Sequence, residues 1–264
     1  MMNPFVYDIP TKVYFGPGKL EHLGAELAAL GKRVLLCYGG GSIKRSGLYD
    51  RVVAQIQGAG LELWELPGID PNPRVTSVRQ GAQLCKEHGI DVVLAVGGGS
   101  VLDCAKFAAA GACYDGDPWD FSTGAAAPER ALPLVTVLTL AATGSEMDNG
   151  GVITNLETKE KLGRGYPCMQ PKVSFLDPTE TFTVSRYQTA CGSADILSHL
   201  FEIYFVTGDE SMYLLDCFKE GMIKTVMKYA PIALEQPDNY EARANLMRTR
   251  SWAINGVAGA MQGS

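Results

Sequence analysis

Five apolar residues, Val92-Val93-Leu94-Ala95-Val96, run straight into Gly97-Gly98-Gly99-Ser100, and Val101-Leu102-Asp103-Cys104-Ala105-Lys106 continues with helical spacing. A strand that turns through glycines into a helix brings backbone N–H groups to the positive end of a helix dipole with no Cβ in the way. Such a turn cradles a phosphate, or it is a tight turn and nothing more. The rest of the first half has the same grammar. Val34–Tyr38, Leu61–Leu66, Asp91–Val96 and Leu134–Leu138 read as strands, and Gly47–Gln57, Arg74–His88 and Val101–Ala112 read as amphipathic helices between them. Strands alternating with crossover helices specify a doubly wound α/β domain around a mostly parallel sheet.

After about Pro178 the pattern changes to three long helical stretches, Val184–Thr207, Ser211–Ala230 and Tyr240–Gly259, separated by Thr-Gly-Asp and Gln-Pro-Asp loops. The expected organisation is therefore an α/β dinucleotide-binding domain over residues 1–180 and an all-helical domain over residues 181–264. The chain ends in Ala260-Met261-Gln262-Gly263-Ser264, glycine-rich sequence that reads as the entrance to a loop, so the helical domain is expected to be incomplete. Uncovered apolar helix faces favour self-association, including a homodimer.

Composition excludes several classes. The 264 residues carry 23 Lys+Arg against 29 Asp+Glu without long like-charge blocks, which leaves no basic surface for a nucleic-acid backbone. The first residues lack a cationic and apolar leader, and the longest apolar stretch, around Ala131–Ala142, is too short to span a bilayer. A cytoplasmic protein with no membrane partner is expected. The 7 cysteines are scattered without C-x-x-C spacing, which argues against a disulfide framework or a thiolate zinc site and predicts mostly buried, hydrophobic roles.

The tetrapeptide Gly-Gly-Gly-Ser also occurs earlier, as Gly39-Gly40-Gly41-Ser42 directly after the Val34–Tyr38 strand. Dinucleotide sites that bind a ribose 2′-OH place an acid near here, whereas a site for a 2′-phosphate replaces it with donors and cations. Here there is no acid, and Lys44 and Arg45 follow, which favours NADP(H); a surface turn with solvated cations is the alternative. Thr139, Ala142, Thr143 and Ser145 lie at the end of the Leu134–Leu138 strand, where ligands of open α/β sheets gather, and Thr143 or Ser145 also suits a helix N-cap. Ser100 with Asp103 fits a capping box, so Asp103 is expected to cap its helix rather than act as a base. Asp195 and His199 are four apart in a helical stretch and share one face, which suits half of a divalent metal site or a hydrogen-bonded couple.

Taken together, Val13-Tyr14-Phe15-Gly16-Pro17-Gly18, Asp70-Pro71-Asn72-Pro73, the Gly97–Lys106 run, Thr143-Gly144-Ser145-Glu146 and Ala194-Asp195-Ile196-Leu197-Ser198-His199 resemble, in order and spacing, the iron-containing alcohol dehydrogenase family. The resemblance is to its butanol dehydrogenase and NADPH-dependent aldehyde reductase branch. It implies a dehydroquinate synthase-like architecture: a dinucleotide domain, a helical domain and a cleft where nicotinamide and a divalent ion meet. It further implies that Gly97, Gly98, Gly99 and Ser100 hold the pyrophosphate, that Thr139 and Thr143 border the cofactor and that Lys161 contacts it. Asp195 and His199 match the first two metal ligands, for Fe²⁺ or Zn²⁺. NAD-preferring members carry an aspartate near Gly39–Gly41. The implied reaction is hydride transfer between NADP(H) and a primary alcohol or aldehyde.

The histidines number 3, at positions 22, 88 and 199, whereas the family carries two further histidine ligands in later helices. His22 and His88 fall in expected surface helices outside any ligand motif, so the metal site is expected to be incomplete and the chain's own activity in doubt. A non-catalytic NADP-binding module is the competing reading, and polyol oxidation or a metal-assisted lyase reaction on the same fold is a third.

Overall fold

Alternate residues of the apolar runs face opposite sides of a single sheet, and each side has its own core. The computed structural model describes residues 8–141, 143–205 and 213–254. Ala142 and the outer parts of the three expected long helices, at 206–212 and 255–264, lie outside the described residues. The strands are β1 (Lys12–Phe15), β2 (Arg33–Tyr38), β3 (Glu62–Leu66), β4 (Val92–Gly97), β5 (Leu134–Leu138), β6 (Gly150–Asn155), β7 (Glu160–Gly165) and β8 (Val173–Leu176). Six of them form one sheet in the order β1-β8-β5-β4-β2-β3, every neighbouring pair parallel.

Parallel strands need crossovers. Here these contain α1 (Leu23–Leu30), α2 (Ser42–Arg45), α3 (Leu48–Gly58), α4 (Val75–His88), α5 (Gly99–Gly111) and α6 (Trp119–Thr123). Val34, Leu36, Val92, Leu94 and Val96 pack with α1 and α3 on one face, through Leu23, Leu27, Val52 and Ile56. Leu35, Cys37, Val93 and Ala95 pack with α4 and α5 on the other, through Val78, Cys85, Leu102 and Ala105. All six residues of β4 are buried, which explains why its sequence shows no polar alternation. α4 and α5 approach so closely that a Cβ on Gly81 would lie 2.9 Å from Ala108 Cβ.

The helical part comprises α7 (Arg186–Phe205), α8 (Tyr213–Glu235) and α9 (Tyr240–Ile254), packed around Ile196, Leu200, Met222, Val226 and Leu246. It is tied to the loop between β5 and β6 by a buried bond, Ser251 Oγ to Glu146 Oε1 at 2.5 Å. No helix among the described residues is long and apolar enough to cross a membrane.

The expected strands and the three nucleotide-side helices are all present, with ends shifted by one or two residues. Two expectations need correction. Cysteine burial holds for Cys37, Cys85 and Cys104 only; Cys113 and Cys168 are half-buried, and Cys191 and Cys217 are exposed on helices. Asp103 does not cap α5. That helix starts at Gly99, so Asp103 lies inside its second turn and is buried, accepting bonds from Ser145 Oγ (2.7 Å) and Val152 N–H (3.0 Å).

Candidate active-site cleft

The chain leaves β2 for β3 on one side and returns to place β4 on β2's other side, so the topology reverses between β2 and β4. Ligands of doubly wound sheets bind beyond the carboxyl ends of the strands at such a switch point. Both Gly-Gly-Gly-Ser turns begin there, since Tyr38 at the end of β2 is paired with Val96 of β4.

Beside the turns lie two cavities. The smaller, of about 300 Å³, is lined by Ser42, Gly98, Thr139, Glu180 and Gln188 among others. The larger, of about 610 Å³, is lined by Asn72, Ser100, Thr143, Lys161, Asp195 and His199, together with Asp103, Asp148 and Arg250. The structure therefore divides the expected site residues between two adjoining basins, with Gly98 on one and Ser100 on the other. Gly39, Gly40, Gly41, Gly97 and Gly99 line neither cavity.

Close approach requires the glycines of the second turn. A Cβ on Gly99 would fall 2.1 Å from Thr143 Oγ1, and one on Gly97 would fall 2.7 Å from Val101 Cγ2. Thr143 is not a helix cap, as no helix begins there; its Oγ1 accepts Ser145 N–H at 3.4 Å. Asn72, at φ 54, organises the mouth of the larger cavity. Its N–H donates to Ser100 Oγ (3.2 Å), and its Oδ1 accepts Lys161 Nζ (2.7 Å) from β7. The antiparallel β6–β7 pair carries Lys161 opposite Thr154.

Beneath the cavity runs a buried polar layer that sequence reasoning missed. Lys106 is fully buried and donates to Asp148 Oδ1 (2.5 Å) and to Gly150 C=O (2.7 Å). Burial pushes the Asp103 carboxyl up to about 6, against the opposing pull of Lys106 and the bonds from Val152 and Ser145. Burial likewise raises Glu146, whose Oε2 has no hydrogen-bond partner among the described residues. Asp103, Lys106 and Glu146 fall inside the motifs quoted above, with Asp103 read there as a cap, but nothing local in the sequence marks their burial in one layer, and no motif marks Arg250.

On α7, His199 Nε2 lies 3.7 Å from Asp195 Oδ1. Ligands around a tetrahedral zinc at about 2.1 Å are roughly 3.4 Å apart, so the spacing of this pair suits a cation between them. The number of ligands does not: among the described residues no three His, Cys, Asp or Glu side chains converge to hold a metal. His22 stacks on Tyr14 and His88 on Trp64, away from this cleft. The other carboxylate oxygen, Asp195 Oδ2, is bonded by Arg250 Nη2 at 3.1 Å.

A sequence profile of iron-containing alcohol dehydrogenases matches residues 10–178. The chain belongs to the iron-containing alcohol dehydrogenase family. It is 53% identical over 256 residues to NADH-dependent butanol dehydrogenase A of Clostridium acetobutylicum, covering 97% of this chain and 66% of that protein. It is 39% identical over 262 residues to the NADPH-dependent aldehyde reductase YqhD of Escherichia coli, covering 98% of this chain and 67% of that one. The crystal structure of NADH-dependent butanol dehydrogenase A from Thermotoga maritima superposes with a TM-score of 0.95 at 44% identity, over 98% of this chain and 65% of that one. This iron-containing alcohol dehydrogenase chain thus spans about two thirds of the length of the relatives it matches.

Proposed function

We propose that this chain forms the cofactor-binding part, and half of the metal-binding part, of an NADP(H)-dependent alcohol dehydrogenase or aldehyde reductase acting on a primary alcohol or aldehyde. The observation that carries the reading is the pair of glycine turns at the switch point, adjoining a cleft that ends at Asp195 and His199. Residues 1–180 form the dinucleotide domain in this reading, and residues 181–264 belong to the helical metal-binding domain. Gly97, Gly98, Gly99 and Ser100 receive the pyrophosphate at the N-terminus of α5. Thr139, Thr143 and Lys161 orient the nicotinamide half, and Gly39, Gly40, Gly41 and Ser42 meet the adenosine ribose.

The preference for NADP(H) rests on charge. The turn after β2 has no carboxylate, Ser42 is exposed, and the Arg45 guanidinium lies beside Gly41, 3.7 Å from where a Cβ would stand. Glu65, the nearby acid, is engaged by the hydroxyls of Tyr38 (2.6 Å) and Tyr49 (2.9 Å). The names of the relatives divide between NADH and NADPH, so the residues of this turn must decide.

Asp195 and His199 would contribute two ligands to a divalent cation, Fe²⁺ or Zn²⁺, which when bound supplies Lewis-acid polarisation of the substrate oxygen. The chain's own residues position the nicotinamide against that end of the cleft. The test is fluorescence titration with NADPH and NADH, followed by butyraldehyde-dependent NADPH oxidation with Fe(II) or Zn(II) present. NADPH binding at least about tenfold tighter than NADH is expected from one charge-assisted phosphate contact. Equal or tighter NADH binding refutes the NADP(H) assignment, and the absence of nucleotide binding refutes the site.

A further inference from the structure

Arg250 is the least compensated charge lining the cleft. It projects from α9, its side chain is 2% exposed, and its Nε and Nη1 are buried without a hydrogen-bond partner among the described residues. Its Nη2 reaches Asp195 Oδ2 at 3.1 Å. The acids that face it are Asp195 from α7 and, at longer range, Glu146 and Asp148 from the segment before β6; Asp148 is already paired with Lys106. A guanidinium does not shed its proton at any ordinary pH, so the charge stays in place.

One carboxylate thus faces two claims. Asp195 Oδ1 is placed with His199 Nε2 for a cation, while Oδ2 neutralises a buried guanidinium. A divalent ion at Oδ1 would stand across a single carboxylate from a like charge. It would also withdraw electron density from the ion pair that compensates Arg250, and a buried charge that loses its partner is costly. We propose that Arg250 competes with a divalent cation for Asp195, so that this chain holds metal at the Asp195–His199 pair more weakly than the two ligands alone would allow. The proposal rests on the reading of that pair as metal ligands.

Equilibrium dialysis of the 264-residue chain against graded Zn(II), with bound zinc counted by elemental analysis, tests it. R250Q removes the charge and is expected to bind zinc at least about tenfold more tightly than the unsubstituted chain, the scale on which residues behind metal ligands act. R250K keeps the charge and should therefore bind zinc less tightly than R250Q. The gain in R250Q should vanish when D195N is added. R250M, an apolar chain in the same buried slot, replaces R250Q if that variant folds poorly. If R250Q binds zinc no more tightly than the unsubstituted chain, while D195N weakens both, Arg250 positions Asp195 instead; the competition is then overturned and the ligand assignment stands. Zinc binding that ignores D195N in every background overturns the ligand assignment, and the competition with it.

Discussion

The same four residues, Gly-Gly-Gly-Ser, follow two neighbouring strands and are used in opposite ways. After β2 the turn is open beyond Gly39, where an added Cβ would lie 3.2 Å from the Ile69 carbonyl oxygen. Gly40 has nothing within 4 Å of a built Cβ, Gly41 adopts φ 98, and the helix that follows is only Ser42–Arg45. After β4 the turn is crowded. Gly97 and Gly99 are buried, none of its glycines has a positive φ, and a helix of 13 residues follows. In the first turn glycine supplies conformation; in the second it supplies space. Identical tetrapeptides therefore carry different information, and only the packing around them tells which.

Substitutions can break this contrast. The largest effect is expected for G99A, whose Cβ would overlap the Thr143 side chain at 2.1 to 2.7 Å. Overpacking of this severity costs about 3 kcal/mol, measured as a lowered urea midpoint at unchanged slope. A G99A protein as stable as the original would show that the second turn is no tighter than the first.

Next is the layer beneath the second turn. Asp103 has its carboxyl raised to about 6 in the folded chain, against about 3.9 when unfolded. The folded state therefore holds this proton more tightly. Asp103's contribution to stability is fully present below about pH 4 and is lost as the pH rises through about 6. Stability of the original chain relative to D103N should fall by on the order of 2 kcal/mol between pH 4 and pH 7, read from urea unfolding at each pH. A pH-independent difference would place Asp103 in water.

A smaller effect sharpens the chemistry of the first turn. R45A should weaken NADPH binding about tenfold, equivalent to about 1.4 kcal/mol, while leaving NADH binding unchanged. Equal losses for both nucleotides would remove Arg45 from the 2′-phosphate. The smallest effects separate conformation from space within that turn. G41A should cost about 1–2 kcal/mol for its left-handed backbone, whereas G40A should fall within about 0.5 kcal/mol of zero. Thermal unfolding of the two variants side by side would show whether the order is reversed.

The sheet was legible because β2 after Arg33, β4 and β5 bury both faces and so write apolar runs broken only by Thr136. The edge strand β1 left no such mark: Lys12 and Val13 are exposed, Tyr14 and Phe15 half-buried, and the segment is recognisable only as a motif. β8 is fully buried but just four residues long, too short for periodicity to separate from its surroundings. Asp103 was misread because residue types and spacing satisfied the capping template, while the helix actually begins earlier, at Gly99. Of the residues that line the two cavities, those in contiguous motifs could be singled out from the sequence: Ser42, Gly98, Ser100, Thr139, Thr143 and the Asp195–His199 pair. Arg250 and the burial of Glu146 could not, because they arise where α9 meets distant chain: Arg250 with Asp195 of α7, and Ser251 with Glu146 of the loop after β5, 105 residues apart. No local pattern encodes such a meeting.

Asn72 has a consequence for any ligand entering the larger cavity. Its N–H and its Oδ1 already bind Ser100 and Lys161, so two residues at the rim meet a newcomer with part of their bonding capacity spent. Recognition at this rim is an exchange of partners, and each exchanged bond yields a net gain of only about 0.5–1.5 kcal/mol. When the rim is empty, Asn72, Ser100 and Lys161 satisfy one another, so a ligand that leaves strands neither the Asn72 N–H nor its Oδ1.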